Sequence, residues 1–182
     1  MRILIFGIPR SGTSSLFKFL TKSLPKNYTI SYEPYKRLLE TPPLDNLLVK
    51  TVLTDEIILK NGETLLDHSK RIIEQFDKII YIKRKNIHNT IKSFSDFQQP
   101  DLPKEISDID SDEKIRRWTT IFDELTIGKK IYYYENIYTE KPSEEIIEMC
   151  NYLNIDFNQN IFNKTLHLKN KEMDEKKIRT II

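Results

Sequence analysis

The sequence predicts an α/β fold, a three-layer sandwich built on a central parallel sheet. Two observations favour this fold class. Short apolar segments alternate with amphipathic segments of helical period along the 182 residues. In addition, the run Ile79-Ile80-Tyr81-Ile82 is apolar without interruption, which is typical of a strand covered on both faces. In sheets of this kind ligands bind beyond the carboxyl ends of the strands, so we expect a functional site there.

The elements follow one another along the chain. Residues 2–6 form the first predicted strand, and apolar residues at helical spacing predict a helix over residues 13–24, which ends before Pro25. Further apolar runs predict strands at residues 28–32, 47–52, 78–83 and 131–134. Further amphipathic segments predict helices at residues 63–76, 87 to about 94, 110–125 and 142–153.

The last two helices carry terminal signals. Asp110 and Glu113 form a capping box that predicts the start of the helix 110–125, and Gly128 closes it. Pro142 suits the first turn of the final helix. That helix is expected to bury one stripe of apolar residues, Ile146, Ile147, Cys150 and Leu153.

Polar segments separate these elements. Residues 98–112 are polar and acidic and contain two prolines, so they predict a long loop that could close over a substrate. Pro42-Pro43 marks a loop and Asn61-Gly62 a turn. The tail from about residue 164 is polar and basic. Because no repeat and no composition break is visible, we expect residues 1–182 to form a single domain.

Composition narrows the class of protein. The chain is 38% hydrophobic and 31% charged, which is ordinary for a soluble globular protein, and its net charge of +2 gives no reason to expect a nucleic-acid partner. No segment approaches the length of a membrane helix and no secretory signal is visible, so we expect a cytoplasmic protein without a membrane partner. Cys150 is the only cysteine; it predicts a buried thiol, and no intramolecular disulfide can form.

The segment after the first strand carries the strongest functional signal. The phosphate-loop pattern Gly-x-x-x-x-Gly-Lys-[Ser/Thr] is met at Gly7, Gly12 and Ser14, but Thr13 stands where the lysine is expected. A cation appears inside the loop instead, at Arg10. Backbone N–H groups of such a turn form a cradle for phosphate, so the fold is expected to be of the P-loop nucleotide-binding type.

The run Pro9-Arg10-Ser11-Gly12-Thr13-Ser14 resembles the 5′-phosphosulfate loop of sulfotransferases that use 3′-phosphoadenosine 5′-phosphosulfate, PAPS. The resemblance implies that the loop binds the donor, with Arg10 on the phosphosulfate and the hydroxyls of Thr13 and Ser14 on the 5′-phosphate. A cation near the bridging oxygen stabilises the charge that grows on the leaving phosphate. No metal is then required.

A second match follows the strand at residues 78–83. The family's 3′-phosphate site is a strand, an arginine and a serine eight residues later on the next helix. Ser93 lies eight residues after Lys85 and nine after Arg84, so either cation could pair with the 3′-phosphate. The alternative interpretation is that these two cations simply belong to the solvated end of the strand and bind no phosphate.

A third match is the run Tyr132-Tyr133-Tyr134-Glu135-Asn136-Ile137, which resembles the family's Tyr-Glu-Asp-Leu segment with asparagine in place of the aspartate. The resemblance implies that Tyr134 stacks on the adenine. The alternative is that Tyr134 is a residue of the hydrophobic core.

The catalytic base is not where the resemblance would put it. Cytosolic sulfotransferases carry Lys-Thr-His after a strand, whereas this chain has Lys50-Thr51-Val52. Lys50 can still approach the sulfuryl oxygens. The resemblance to bacterial and protein-tyrosine sulfotransferases suggests Glu33 as the base, and an exposed glutamate in a turn is the alternative.

Other polar and aromatic residues are weaker candidates. The three histidines, His68, His88 and His167, are expected to be structural or solvated. Trp118 could line either the core or a substrate wall.

Together these features predict a sulfotransferase that moves a sulfuryl group from PAPS to a hydroxyl or amine and releases 3′,5′-diphosphoadenosine, PAP. The acceptor is expected to be a small molecule, a glycan or a peptide. Two alternatives are a small P-loop kinase for a nucleotide or metabolite, which Thr13 opposes, and a non-catalytic protein that keeps the nucleotide cleft.

Overall fold

A computed structural model describes residues 1–32, 45–54, 62–98, 104–139 and 141–165. The strands are β1 (Arg2–Gly7), β2 (Thr29–Tyr32), β3 (Leu47–Val52), β4 (Lys78–Lys83) and β5 (Ile131–Tyr133). The helices are α1 (Thr13–Ser23), α2 (Leu65–Ile73), α3 (Ile87–Gln98), α4 (Lys104–Leu125), α5 (Tyr134–Ile137), α6 (Glu144–Leu153) and α7 (Gln159–Thr165).

The five strands form one parallel sheet in the order β2-β3-β1-β4-β5. Gly7, at the carboxyl end of β1, lies between Val52 of β3 and Ile82 of β4. After β1 the chain continues to β2 on one side of the sheet, and after β4 it continues to β5 on the other. The carboxyl ends of β1 and β4 therefore flank a topological switch point, where open parallel sheets bind ligands.

Helices cover both faces of the sheet and confirm the predicted three layers. Ile3 and Ile5 of β1 face a cluster that includes buried residues of α1, α6 and α7. Leu4 and Phe6 face the opposite cluster, which includes buried residues of α2, α3 and α4. Alternate β1 side chains thus enter opposite cores, as the pleat of a central strand requires. Cys150 lies in the first cluster and is fully buried, as predicted.

The predicted loop over residues 98–112 is wrong where the structure describes it. Helix α3 continues to Gln98, and α4 begins at Lys104, so residues 104–112 are helical. The capping box at Asp110 and Glu113 is wrong for the same reason, since both residues lie inside α4. Residues 99–103 lie outside the described part of the chain.

Two features of α4 explain why its polar half is helical. Lys114 Nζ lies 2.7 Å from a carboxylate oxygen of Asp110, an i,i+4 pair that supports a helix. Ser111 is also buried, and it extends the stripe that continues through Ile115 and Trp118 into the core. A serine in a buried stripe hid the helical period from the hydropathy pattern.

Smaller differences concern element ends. Ile147 was predicted to be buried, but it is 42% exposed because it points away from the stripe that α6 buries. Strand β5 ends at Tyr133, and Tyr134 begins the one-turn helix α5. Helix α2 starts after Thr64, whose hydroxyl accepts the Asp67 backbone N–H, and not at residue 63.

Among the described ranges, no helix is both long enough and apolar enough to cross a membrane. The predicted loop at residues 42–43, the Asn61 half of the predicted turn, and all of the basic tail after residue 165 lie outside those ranges.

Candidate functional site

The loop between β1 and α1 contains two residues with positive φ and packs closely against β4. Arg10 and Gly12 both have positive φ, 65° and 88°. The Ser11 hydroxyl donates to the Ile8 carbonyl oxygen at 2.7 Å and closes the turn. A Cβ on Gly7 would stand 2.6 Å from the carbonyl oxygen of Ile82, so β1 must carry glycine where β4 passes it.

Two tyrosines hold this loop from the β5 side. The rings of Tyr134 and Tyr138 stack with centroids 4.3 Å apart, and both pack against the Cα of Gly12. The Tyr138 hydroxyl donates to the carbonyl oxygen of Gly12. Burial, and secondarily the neighbouring Tyr134, raises the pKa of Tyr138 well above its ordinary range, so this phenol remains a donor. The loop is therefore held in place by a side chain from α5's C-terminal flank.

Helix α3 contacts the same loop from the β4 side. Arg10 Nε donates to the Ser93 hydroxyl oxygen at 3.0 Å, and the Arg10 guanidinium lies 4.7 Å from the ring centroid of Phe97. Ser93 and Phe97 are one helical turn apart, so they present one face of α3 to the loop. The two sequence segments predicted to bind the two ends of a nucleotide thus meet directly.

Arg84 and Lys85 have different surroundings. The Arg84 guanidinium lies 4.5 Å from the ring centroid of Tyr134, on the ring that packs against Gly12, and one of its terminal nitrogens donates to the Asn89 carbonyl oxygen at 3.3 Å. Lys85 is exposed, and its ammonium lies 5.8 Å from the centroid of Tyr133. Of the two cations, Arg84 is the one joined to the loop through a shared aromatic ring.

The Arg84 guanidinium also has unused hydrogen-bonding capacity. Its Nε is buried and has no hydrogen-bond partner among the residues that the structure describes. A buried donor without a partner costs free energy, about 1–3 kcal/mol, so such a group is a candidate for binding an anion. Together with Arg10 it places two guanidinium groups beside the switch point of the sheet.

A third basic group lies on the other side of the loop. Lys50 of β3 is 3% exposed, and its ammonium donates to the Tyr32 hydroxyl oxygen at 3.1 Å. The same Tyr32 oxygen lies 3.0 Å from the hydroxyl oxygen of Ser14, in the first turn of α1. Tyr32, the last residue of β2, is the register partner of Lys50 in β3, which explains why the two side chains meet.

The remaining predicted residues fall in several environments. Pro9 on the loop and Ser14 in the first turn of α1 are partly exposed, whereas Thr13 is buried with its methyl group toward Gly7. Glu33, the predicted base, lies outside the described residues.

The weaker candidates, one tryptophan and three histidines, also differ in their surroundings. Trp118 belongs to the core, where it packs edge-on against Phe94 with centroids 5.4 Å apart. His68 is buried beside Glu63, with Nδ1 at 3.3 Å from a carboxylate oxygen, and His88 is exposed. His167 lies outside the described residues.

Several residues of this region were not predicted as site residues: Tyr32, Phe97 and Tyr138. A signal existed for two of them, because Phe97 follows Ser93, and Tyr138 follows Tyr134, by one helical turn. No pattern in the sequence indicated that Tyr32 would pair with Lys50. Within the described ranges, no group of three or more His, Cys, Asp or Glu side chains could hold a metal ion.

The fold is an α/β sandwich, with basic side chains from three segments gathered around the first loop, namely Arg10, Lys50 and Arg84. Comparisons of the chain with protein-family models, with curated proteins and with solved structures each gave no match.

Proposed function

We propose that the chain is a P-loop sulfotransferase that moves a sulfuryl group from PAPS to a hydroxyl or amine acceptor. The observation that carries the proposal is the 3.0 Å hydrogen bond from Arg10 to Ser93. It joins the loop that resembles a 5′-phosphosulfate site to the helix that resembles a 3′-phosphate site. A nucleotide with anionic groups at both ends needs these two clusters in one cleft, and they adjoin at the switch point of the sheet.

The donor set fits such a nucleotide. Arg84 offers for a 3′-phosphate a buried Nε that no described residue hydrogen-bonds, and the Ser93 hydroxyl lies on the following helix, α3. The backbone N–H groups at the start of α1, together with the helix dipole, favour an anion such as the 5′-phosphate. Tyr134 lies beside both positions, but Tyr138 and the Arg84 guanidinium cover its ring, so stacking of the adenine on Tyr134 stays a sequence-based prediction.

In the proposed reaction the bond between sulfur and the bridging oxygen of the 5′-phosphate breaks, and a bond between sulfur and the acceptor atom forms. The acceptor loses its proton to a base, for which Glu33 is the sequence-based prediction. Lys50 and Arg10 stabilise negative charge on the transferred group and on the leaving phosphate. Lys50 is nearly fully buried, where charge–charge interactions are stronger than in water.

The test is ligand-induced thermal stabilisation. PAP, ADP and ATP with Mg²⁺ are compared at equal concentrations, and a ligand present at 100 times its Kd adds about 2.7 kcal/mol of stability. PAP is expected to stabilise the protein most, because ADP lacks the 3′-phosphate. An equal response to PAP and ADP would overturn the proposal. A response to ATP only with Mg²⁺ would indicate a kinase, and PAP binding without transfer to any acceptor would indicate a non-catalytic protein.

A further inference from the structure

Tyr32 is an exposed tyrosine whose hydroxyl nevertheless makes hydrogen bonds within the protein. The side chain is 55% exposed, and its ring packs edge-on against Phe17 with centroids 5.6 Å apart. The Lys50 ammonium lies 4.2 Å from the ring centroid and donates to the hydroxyl oxygen at 3.1 Å. The Ser14 hydroxyl lies 3.0 Å from the same oxygen. The phenol oxygen at the end of β2 is thus held by hydrogen bonds although about half of the residue is exposed to solvent.

The two groups that converge on this oxygen are both expected to contact the donor. Ser14 stands in the first turn of α1, where the 5′-phosphate of the donor is expected, and Lys50 is expected on the sulfuryl oxygens. An oxygen that contacts both residues is close to the sulfur of a donor bound there. A nucleophile held beside its target has an effective concentration of roughly 10⁵ M or more.

We propose that Tyr32 is a sulfuryl acceptor within the chain itself, so that the protein sulfates its own Tyr32 when PAPS is supplied. The inference rests on the proposed function and adds to it a modification site and an acceptor class, a phenol. The oxygen of Tyr32 forms the new bond to sulfur as the bond between sulfur and the bridging phosphate oxygen breaks. PAP leaves, and the phenolic proton passes to water, which reaches the half-exposed side chain.

Lys50 favours this step electrostatically. Its donor hydrogen bond stabilises the negative charge that develops on the Tyr32 oxygen as the proton departs. Replacing Lys50 with methionine keeps a similar apolar stem in the buried position and removes this bond. The rate of self-sulfation is expected to fall roughly 10²-fold in Lys50→Met.

The experiment incubates the full-length protein with PAPS alone and follows the intact mass, with peptide mapping to locate the modification. We expect one sulfuryl group per chain, on Tyr32. Tyr32→Phe keeps the ring against Phe17 and Lys50 but lacks the oxygen, and it is expected to remain unmodified. At a saturating concentration of PAPS the rate per molecule should not change when the protein is diluted, because the donor-binding site and the acceptor tyrosine belong to one chain.

Tyr152 is a matched control. It is 38% exposed, and the Lys78 ammonium lies 4.3 Å from its ring centroid, so it shares the exposure and the cation contact of Tyr32. Lys78 begins β4 and so lies at the amino ends of the strands, whereas the first loop lies at their carboxyl ends, and Tyr152 is therefore expected to stay unmodified. Equal labelling of Tyr32 and Tyr152, or a rate that scales with protein concentration, would overturn the inference.

Stabilisation by PAP separates the two proposals. If PAP stabilises the wild-type protein and Tyr32→Phe equally while Tyr32 gains no sulfuryl group, the self-sulfation inference is wrong and the sulfotransferase proposal stands. If PAP does not stabilise the protein more than ADP does, the failure lies in the proposed function. Thermal stabilisation of a variant by PAP also shows that the variant is folded.

Discussion

Tyr138 donates its hydroxyl hydrogen to the carbonyl oxygen of Gly12, a residue 126 positions earlier in the sequence. The ring of Tyr138 also packs against the Cα of Gly12, beside Tyr134. The conformation of the first loop is therefore set partly by residues that follow β5 and lie far from the loop in sequence. Gly12 has no room for a side chain because of this contact.

Gly12→Ala is expected to destabilise the protein more than Gly128→Ala. An alanine Cβ at Gly12 would stand 2.5 Å from Tyr134 Cδ2, whereas at Gly128 no atom of the described residues lies within 4 Å of the corresponding position. Both glycines have positive φ, so each substitution pays the left-handed backbone cost of about 1–2 kcal/mol. Overpacking at Gly12 adds about 1–3 kcal/mol. Urea denaturation of the two variants measures the difference, and equal losses would contradict this account of the loop.

The strand segments could be predicted from the sequence because each depends on a short local pattern of apolar residues. An apolar run such as Ile79-Ile80-Tyr81-Ile82 has few alternatives to a buried strand, and the glycine loop after residues 2–6 indicated at which end of the sheet a ligand site is to be expected. Arg10, Ser93 and Tyr134 were singled out by resemblance, and the structure brings Arg10 to Ser93.

The features that could not be predicted from the sequence depend on tertiary contacts. The first half of α4 is polar, and its helical state depends on burial of Ser111 and on charge pairs such as Asp112 with Arg116. The contact of Tyr32 with Lys50 depends on the placement of β2 beside β3, which no short-range pattern encodes. Tyr138 reaches Gly12 only after the sheet has assembled.

Asp112→Pro is expected to destabilise the protein by about 3 kcal/mol, because proline inside a helix removes a backbone hydrogen bond and clashes with the preceding turn. Asp112 lies well inside α4, which begins at Lys104. Asp112→Ala is the matched control, since it removes the 2.7 Å contact with Arg116 but keeps the helical backbone. The Arg116 hydrogen bond holds the pKa of Asp112 below its ordinary value, so that contact is present at neutral pH. If proline and alanine cost the same in urea denaturation, α4 does not extend through this position.

Arg84→Ala is expected to weaken binding of PAP roughly 10- to 100-fold, because a hydrogen bond to a charged group contributes about 1.5–3 kcal/mol. Lys85→Ala is expected to weaken it less than about fivefold, since exposed ion pairs contribute about 0–1 kcal/mol. The difference follows from the buried Nε of Arg84 and its position on Tyr134, whereas Lys85 is exposed. Isothermal titration with PAP and with ADP measures both effects.

The ADP titration is the control in that experiment. Arg84→Ala should leave the affinity for ADP nearly unchanged, because ADP has no 3′-phosphate for Arg84 to contact. A larger loss of PAP affinity in Lys85→Ala than in Arg84→Ala would assign the 3′-phosphate to Lys85 instead, as the strict sequence spacing suggests.

Stability is expected to fall steeply between pH 10 and pH 12, and Tyr132→Phe should make the fall shallower. Burial, and secondarily the negative charge of Glu148, raises the pKa of Tyr132 to about 12, from an ordinary value near 10. Above pH 10 the folded protein therefore holds a proton that the unfolded chain has released, so rising pH favours unfolding until the folded protein also loses it. Below pH 10 this contribution to stability is fully present. Urea midpoints at half-unit pH steps for both proteins measure the two slopes, and parallel curves would show that Tyr132 does not carry the effect.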